Sequence, residues 1–315
     1  MDWWQIALIV LASVVLLMLI MSFVLYMVVF YKSPHKMLGE GEYEYPPGRV
    51  YEPHKPRLRA WVDALRAMPH EDFYIKSHDG LSLRGSYYEC QKGAPIEIMF
   101  HGYGGYGERD GGGAIERCFK IGHNALLIDQ RGCGLSQGKT TTFGIKERFD
   151  CVRWAEFVTE HFGKETKIML SGISMGAATV LMAAGENLPK NVVCVLADCG
   201  YSSPKEIIKT VIRKMKLPAW LFYPFIKLGA RIFGGFNLEE TSPIEALDKA
   251  TLPIIFFHGD HDNFVPCEMS RILHCKYNGV KKLVEVKGAG HGLAYLIDEK
   301  LYLHELNEFL KVWKE

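Results

Sequence analysis

The sequence predicts an α/β protein, a mostly parallel sheet with helices on both faces, carried behind one apolar N-terminal helix. Three observations lead there. From about residue 72 onward, short β-branched runs alternate with helical patterns, as strands buried on both faces require. No charge interrupts the 29 positions from Trp3 to Tyr31, whereas about 20 apolar residues in a helix span a bilayer core. Finally, Gly172-Ile173-Ser174-Met175-Gly176 joins an apolar run to a helix of small residues, the pattern of a sharp strand-to-helix turn with a serine at its tip.

Composition narrows the classes. The 315 residues carry 37 basic and 36 acidic side chains, a balance that argues against a generic nucleic-acid binder. With 23% charged residues, 31 Gly and 14 Pro, neither disorder nor a collagen-like chain fits. A mean hydropathy near zero reflects one greasy segment, residues 1–31. A cleaved signal peptide needs a basic leading region and a small-residue cleavage site; only Asp2 precedes the run as a charged residue, so an uncleaved single-pass anchor is expected. Lys32, Lys36, Arg49, Lys55, Arg57 and Arg59 follow it, and the positive-inside rule puts the rest of the chain on the cytoplasmic side. The eight cysteines are scattered without CxxC spacing and read as small core residues.

Residues 32–71 carry Pro34, Pro46, Pro47, Pro53, Pro56 and Pro69 and read as a juxtamembrane linker with one short helix over Leu58–Ala67. The globular domain, 72–315, opens with a hairpin of Phe73–Ser77 and Leu81–Tyr88 around His78-Asp79-Gly80. Strands are predicted at Ile96–Phe100, Ala125–Asp129, Lys167–Ser171, Val192–Ala197, Ile254–His258 and Leu283–Val286. Helices are predicted at Ala114–Ile121, Ile145–His161, Ala177–Ala184, Glu268–Tyr277 and Leu301–Trp313. Residues 201–250 break the alternation and form a helical insertion, a lid candidate at the sheet's active edge.

Serine needs a base to take its proton and donors to hold the oxyanion formed on attack. The base and its acid partner are expected later in the chain, each just after a strand. His258-Gly259-Asp260-His261-Asp262 follows one apolar run, and Gly288-Ala289-Gly290-His291-Gly292 follows another. His291 can serve Ser174 as base, and Asp262 can hold its tautomer, with Asp260 as the rival acid. The acids and histidines of this stretch also resemble metal ligands, but no recognised zinc spacing is present. His101-Gly102-Tyr103-Gly104-Gly105 follows the run Ile96–Phe100, making the amides of Tyr103 and Met175 the oxyanion candidates. A phosphate-binding loop would need GxxxxGK[ST], which is absent.

The order HGYGG, Asp129-Gln130-Arg131-Gly132-Cys133-Gly134-Leu135-Ser136, GISMG, HGDHDNFVP and AGHG resembles the α/β-hydrolase superfamily. It is most similar to membrane-anchored bacterial serine hydrolases related to the ABHD-type and prolyl-oligopeptidase-like lipases and esterases. The resemblance implies Ser174 as nucleophile, Asp262 rather than Asp260 as acid, His291 as base, and the Tyr103 and Met175 amides as oxyanion donors. It implies hydrolysis of carboxylic esters without metal or organic cofactor. A thioesterase, an amidase or peptidase, an acyltransferase, or a non-catalytic binder would share the scaffold. Within the insertion, Lys205–Arg231 holds seven basic residues against one acidic, with Trp220, Phe222, Tyr223 and Phe225. Such a surface suits a solvated helix face, or an anionic membrane from which apolar acyl esters are drawn.

Overall fold

The computed structural model describes residues 1–32 and 41–311; Pro34, Lys36 and Trp313 of the sequence reading lie outside them. Eight strands form one sheet: β1 (Glu71–Lys76), β2 (Ser82–Tyr88), β3 (Ile96–Phe100), β4 (Asn124–Ile128), β5 (Ile168–Ile173), β6 (Val192–Asp198), β7 (Ile254–Gly259) and β8 (Lys281–Val286). Their order is β1-β2-β4-β3-β5-β6-β7-β8. Only β2 runs against its neighbours, pairing antiparallel with β1 and β4; the other pairings are parallel.

The period of two in the strands sorts side chains between two cores. Ile168 and Leu170 face a core built with α4 (Glu147–Phe162), α5 (Met175–Ala183) and α9 (Glu268–Lys276). Met169 and Leu196 face the other side, where α10 (Ala294–Ile297) and α11 (Glu299–Leu310) pack. Fully buried Trp154 anchors the first core, and truncating such a ring costs about 3–5 kcal/mol. The parallel strands all end at one edge of the sheet, which is where the candidate residues gather.

Two segments depart from expectation. In the supposed linker, a 3-10 turn (Arg49–His54) leads into α2 (Lys55–Ala67). The helix buries Trp61, Val62 and Leu65 against α3 (Gly107–Lys120) and is tied to it by Arg57–Glu116 at 2.8 Å and Arg66–Glu108 at 2.6 Å. This stretch is therefore a wall of the domain and not a free spacer. Leu58, Trp61, Val62 and Leu65 share one face at helical spacing, which explains the docking.

The insertion holds α6 (Pro204–Lys214), α7 (Ala219–Ile232) and α8 (Pro243–Ala246). Its positive charge is smaller than the local count implies. Lys205 and Lys227 both pair with Glu239, and Lys209 pairs with Glu206, while Lys214 donates to the carbonyls of Asn263 and Phe264. Among the described residues, Arg213, Lys216 and Arg231 have no acidic partner.

The first helix, α1 (Trp3–Val29), stands clear of the domain from Trp3 to Met21, with only Gln5 and Leu19 partly covered. Its length and composition suffice to cross a membrane. Beyond Met21, the stripe Ser22, Tyr26, Phe30 is buried against the insertion. A Cβ on Gly229 of α7 would lie 2.4 Å from the Ser22 carbonyl oxygen, so the two helix backbones are in direct contact and only glycine fits.

Candidate active site

β5 runs into Ser174 and α5 leaves it, turning the chain at one residue. Ser174 takes φ 56 and ψ −112, a sparsely populated conformation that lifts its hydroxyl off the sheet edge. The flanking glycines make the turn possible: a Cβ on Gly176 would sit 2.0 Å from the Phe100 carbonyl oxygen. The Ser174 amide donates to the Asp198 carbonyl on β6 at 2.8 Å, fastening the turn to its neighbour strand.

The loops after β7 and β8 bring the acid and the histidine to this hydroxyl. Ser174 Oγ lies 2.9 Å from His291 Nε2, and His291 Nδ1 lies 2.6 Å from Asp262 Oδ2. Because an ionised carboxylate only accepts, Nδ1 carries the ring proton and Nε2 is free to accept from Ser174. Asp262 Oδ1 takes the amides of Phe264 at 2.7 Å and Val265 at 2.8 Å. Burial pushes its pKa up, but bonds from His258, His291 and these amides outweigh it and hold the carboxyl well below the usual range. Asp260, the rival acid, instead takes His261 Nδ1 at 2.8 Å and the Gly288 amide at 2.6 Å, steadying the loop that carries His291.

The glycine loop after β3 completes the group. Among the described residues, the Tyr103 and Met175 amides donate no hydrogen bond, so both stay available to a ligand oxygen. A charged clamp holds this loop: Asp110 Oδ2 accepts the Gly102 amide at 3.2 Å, and Arg109 donates to the Gly104 carbonyl at 3.0 Å. His101 braces it from behind, accepting the Gln130 amide on Nε2 at 3.0 Å.

Sequence reasoning missed several contributors. His258 is fully buried, with Nδ1 2.7 Å from Ser270 Oγ and Nε2 2.9 Å from the Val265 carbonyl. Since that carbonyl only accepts, Nε2 is protonated and also faces Asp262 at 3.3 Å; it fixes the acid loop with both nitrogens engaged. Tyr51 donates to the His291 carbonyl at 2.9 Å. Asp198 accepts from Tyr302 at 3.0 Å while its other oxygen is buried without a partner. Burial pushes its carboxyl up to about 6 against that hydrogen bond. The signals were present in part: Arg109-Asp110 directly after a glycine loop, and the amphipathic spacing around Trp61.

A cavity of about 700 Å³ reaches Ser174 and His291, within the usual range for small-molecule sites. Its lining is mostly apolar and includes Val50, Leu58, Trp61, Val62, Leu127 and Leu196. A serine hydroxyl held to a carboxylate-braced imidazole, beside two unengaged amides and an apolar cavity, is equipped for acyl transfer.

Comparison with known proteins agrees with this topology. Residues 98–237 match the family described as alpha/beta hydrolase fold. The esterase Pf2001 of Pyrococcus furiosus superposes with a TM-score of 0.65 at 22% identity, covering 90% of this chain and 99% of that one. The chain has the α/β-hydrolase fold. A second solved structure, Est1E of Butyrivibrio proteoclasticus with bound ferulic acid, gives a TM-score of 0.58 at 22% identity, covering 76% of this chain and 97% of that one. Among curated relatives, the uncharacterized protein YqkD of Bacillus subtilis is 29% identical over 191 residues, 60% of this chain. The match spans 63% of YqkD's own length. The uncharacterized protein YfhR of Escherichia coli O157:H7 is 22% identical over 281 residues, 85% of this chain and 86% of that protein.

Proposed function

We propose that this protein is a membrane-anchored serine hydrolase that cleaves carboxylic esters with apolar acyl chains. The observation that carries the reading is the continuous chain from Ser174 through His291 to Asp262 at 2.9 and 2.6 Å. Ser174 Oγ attacks the ester carbonyl carbon while His291 Nε2 takes its proton. The carbonyl oxygen becomes an oxyanion held by the Tyr103 and Met175 amides. Collapse expels the alcohol, protonated by His291, and leaves an acyl-serine. Water, deprotonated by His291, then releases the acid and restores the serine. Asp262 stabilises the imidazolium throughout and stays ionised.

The esterase activity of Pf2001 and the mostly apolar cavity both support an ester substrate. Several features support the anchor: α1 is uncharged and exposed from Trp3 to Met21, and α7 beside it exposes Trp220, Leu221 and Ile232, with Phe233 exposed just after its end. Arg213, Lys216 and Arg231 on the same insertion suit an anionic bilayer surface. The basic residues that follow α1 favour a cytoplasmic domain.

A fluorophosphonate probe tests the reading. Labelling of the native chain that disappears in Ser174→Ala is expected, and labelling that persists refutes Ser174 as nucleophile. Matched ester, thioester and amide panels then fix the bond cleaved, with esters expected to turn over fastest.

A further inference from the structure

The oxyanion loop is held on one side by Arg109 and Asp110, and on the other side by the membrane helix itself. The last carbonyls of a helix lack intrahelical partners. Tyr103 Oη donates to one of them, the Val29 oxygen at the end of α1, at 2.7 Å. The Lys32 ammonium lies 3.6 Å from the centroid of the Tyr103 ring, a cation–π contact. The same ring lies 5.2 Å from Phe143, which meets Phe30 of the α1 terminus at 5.7 Å. Phe30 is fully buried and also packs on Phe236 at 5.3 Å.

The chain after α1 is fastened as well. The Lys32 amide donates to the Lys139 carbonyl at 2.8 Å, and the Thr141 amide to the Phe30 carbonyl at 2.9 Å. Tyr26 and Thr140 share a hydroxyl pair at 2.7 Å. Higher up, the Gly229 contact sets the helix against α7. Tyr26, Phe30 and Met175 belong to one apolar cluster, with Tyr103 packed on its border. Both residues proposed as oxyanion donors thus rest on the cluster that α1 completes.

We propose that the seated end of α1 aims the oxyanion amide through Tyr103, so that the membrane helix is a positioning element of the active site. The inference rests on the reading of the Tyr103 amide as an oxyanion donor. A displacement of about 1 Å at a reacting group can cost about a hundredfold in rate, and losing one oxyanion donor costs about 10²–10³. Loosening the seat therefore acts on kcat and not on ground-state binding.

The test uses the full chain in detergent micelles with a short soluble ester. Tyr103→Phe keeps the ring and removes the bond to Val29. Gly229→Ala lifts α1 from α7 without touching the loop. Each is expected to lower kcat about tenfold with KM within about twofold, and to slow fluorophosphonate labelling of Ser174 by the same factor. Because both act through one seat, the double variant is expected to be no slower than about twofold below either single one. If Gly229→Ala fails to fold, Lys32→Met replaces it, with an expected loss of two- to fivefold in kcat. Wild-type kcat in Tyr103→Phe overturns the proposal, as do multiplicative losses in the double variant, or losses that follow KM. A native chain that neither cleaves the ester nor labels at Ser174 refutes the hydrolase reading instead.

Discussion

Replacing Asp262 by Asn is the most discriminating perturbation of the proposed site, because the outcome follows from which atoms donate. The Phe264 and Val265 amides point at Oδ1 at 2.7 and 2.8 Å, so the Asn oxygen stays there and its NH2 group turns towards His291. An NH2 group cannot accept from Nδ1–H, now 2.6 Å from Oδ2. The ring must shift its proton to Nε2, which then faces Ser174 as a donor and cannot act as base. The cost of a wrong tautomer in a Ser-His-Asp site is about 10⁴ in kcat, or about 5 kcal/mol of transition-state stabilisation. Asp260→Asn is the control: Asp260 lies at the surface, bonded to His261 and Gly288, and kcat is expected within about threefold of wild type. Steady-state ester hydrolysis and the second-order rate of fluorophosphonate labelling both report the effect. More than about a tenth of wild-type kcat in Asp262→Asn, or an equal loss in Asp260→Asn, refutes the assignment.

Other expectations concern titration, the cavity and the insertion. Asp198 has a folded pKa of about 6 against an unfolded value near 3.8, so the folded state binds the extra proton. Its contribution is complete below about pH 4 and is lost as pH rises through about 6, by up to about 3 kcal/mol. Asp198→Asn is expected to remove that slope in urea unfolding at pH 5 and 7.5; an unchanged slope refutes it. Leu58→Trp narrows the cavity wall and should move the ester optimum to shorter chains. Each methylene excluded is worth about fourfold in kcat/KM, whereas a profile unmoved by the variant places the acyl chain elsewhere. Neutralising Arg213, Lys216 and Arg231 together should reduce hydrolysis of ester in anionic vesicles several-fold and leave a soluble ester within about twofold. The same change at Lys205 and Lys227, already paired with Glu239, should cost stability without that selectivity; equal losses on both substrates refute a membrane-facing role.

The strands and the Ser174 turn were legible because their signals are local: a buried β-branched run or a glycine pair is read within ten residues. The loops carrying Asp262 and His291 were legible for the same reason, although nothing local separates Asp260 from Asp262. That distinction depends on where the loop after β7 points. The start of α3 at Gly107 was not legible, since Gly107, Gly111, Gly112 and Gly113 are poor helix formers. They are held in the helix by tertiary packing that lets Trp61 approach within 2.8 Å of where Cβ atoms on Gly112 and Gly113 would sit. The insertion's charge was overcounted because Glu239, which neutralises two lysines, lies beyond the stretch counted. The role of α2 stayed hidden because its partners, Glu108 and Glu116, come more than forty residues later.

The seat of α1 also bears on reach. From Trp3 to Met21 the exposed helix is about 28 Å long, close to the hydrocarbon thickness of about 30 Å, and from Ser22 onward it is fixed to the domain. With α1 in a bilayer, the domain stands on a post and not on a rope. Its height above the lipid is set by the helix, and its remaining freedom is to drift in the plane and to spin about the post. Ser174, the proposed nucleophile, would then sit at one level above the membrane, and the molecules it meets would be those that diffuse to that level, whatever their abundance farther out in solution.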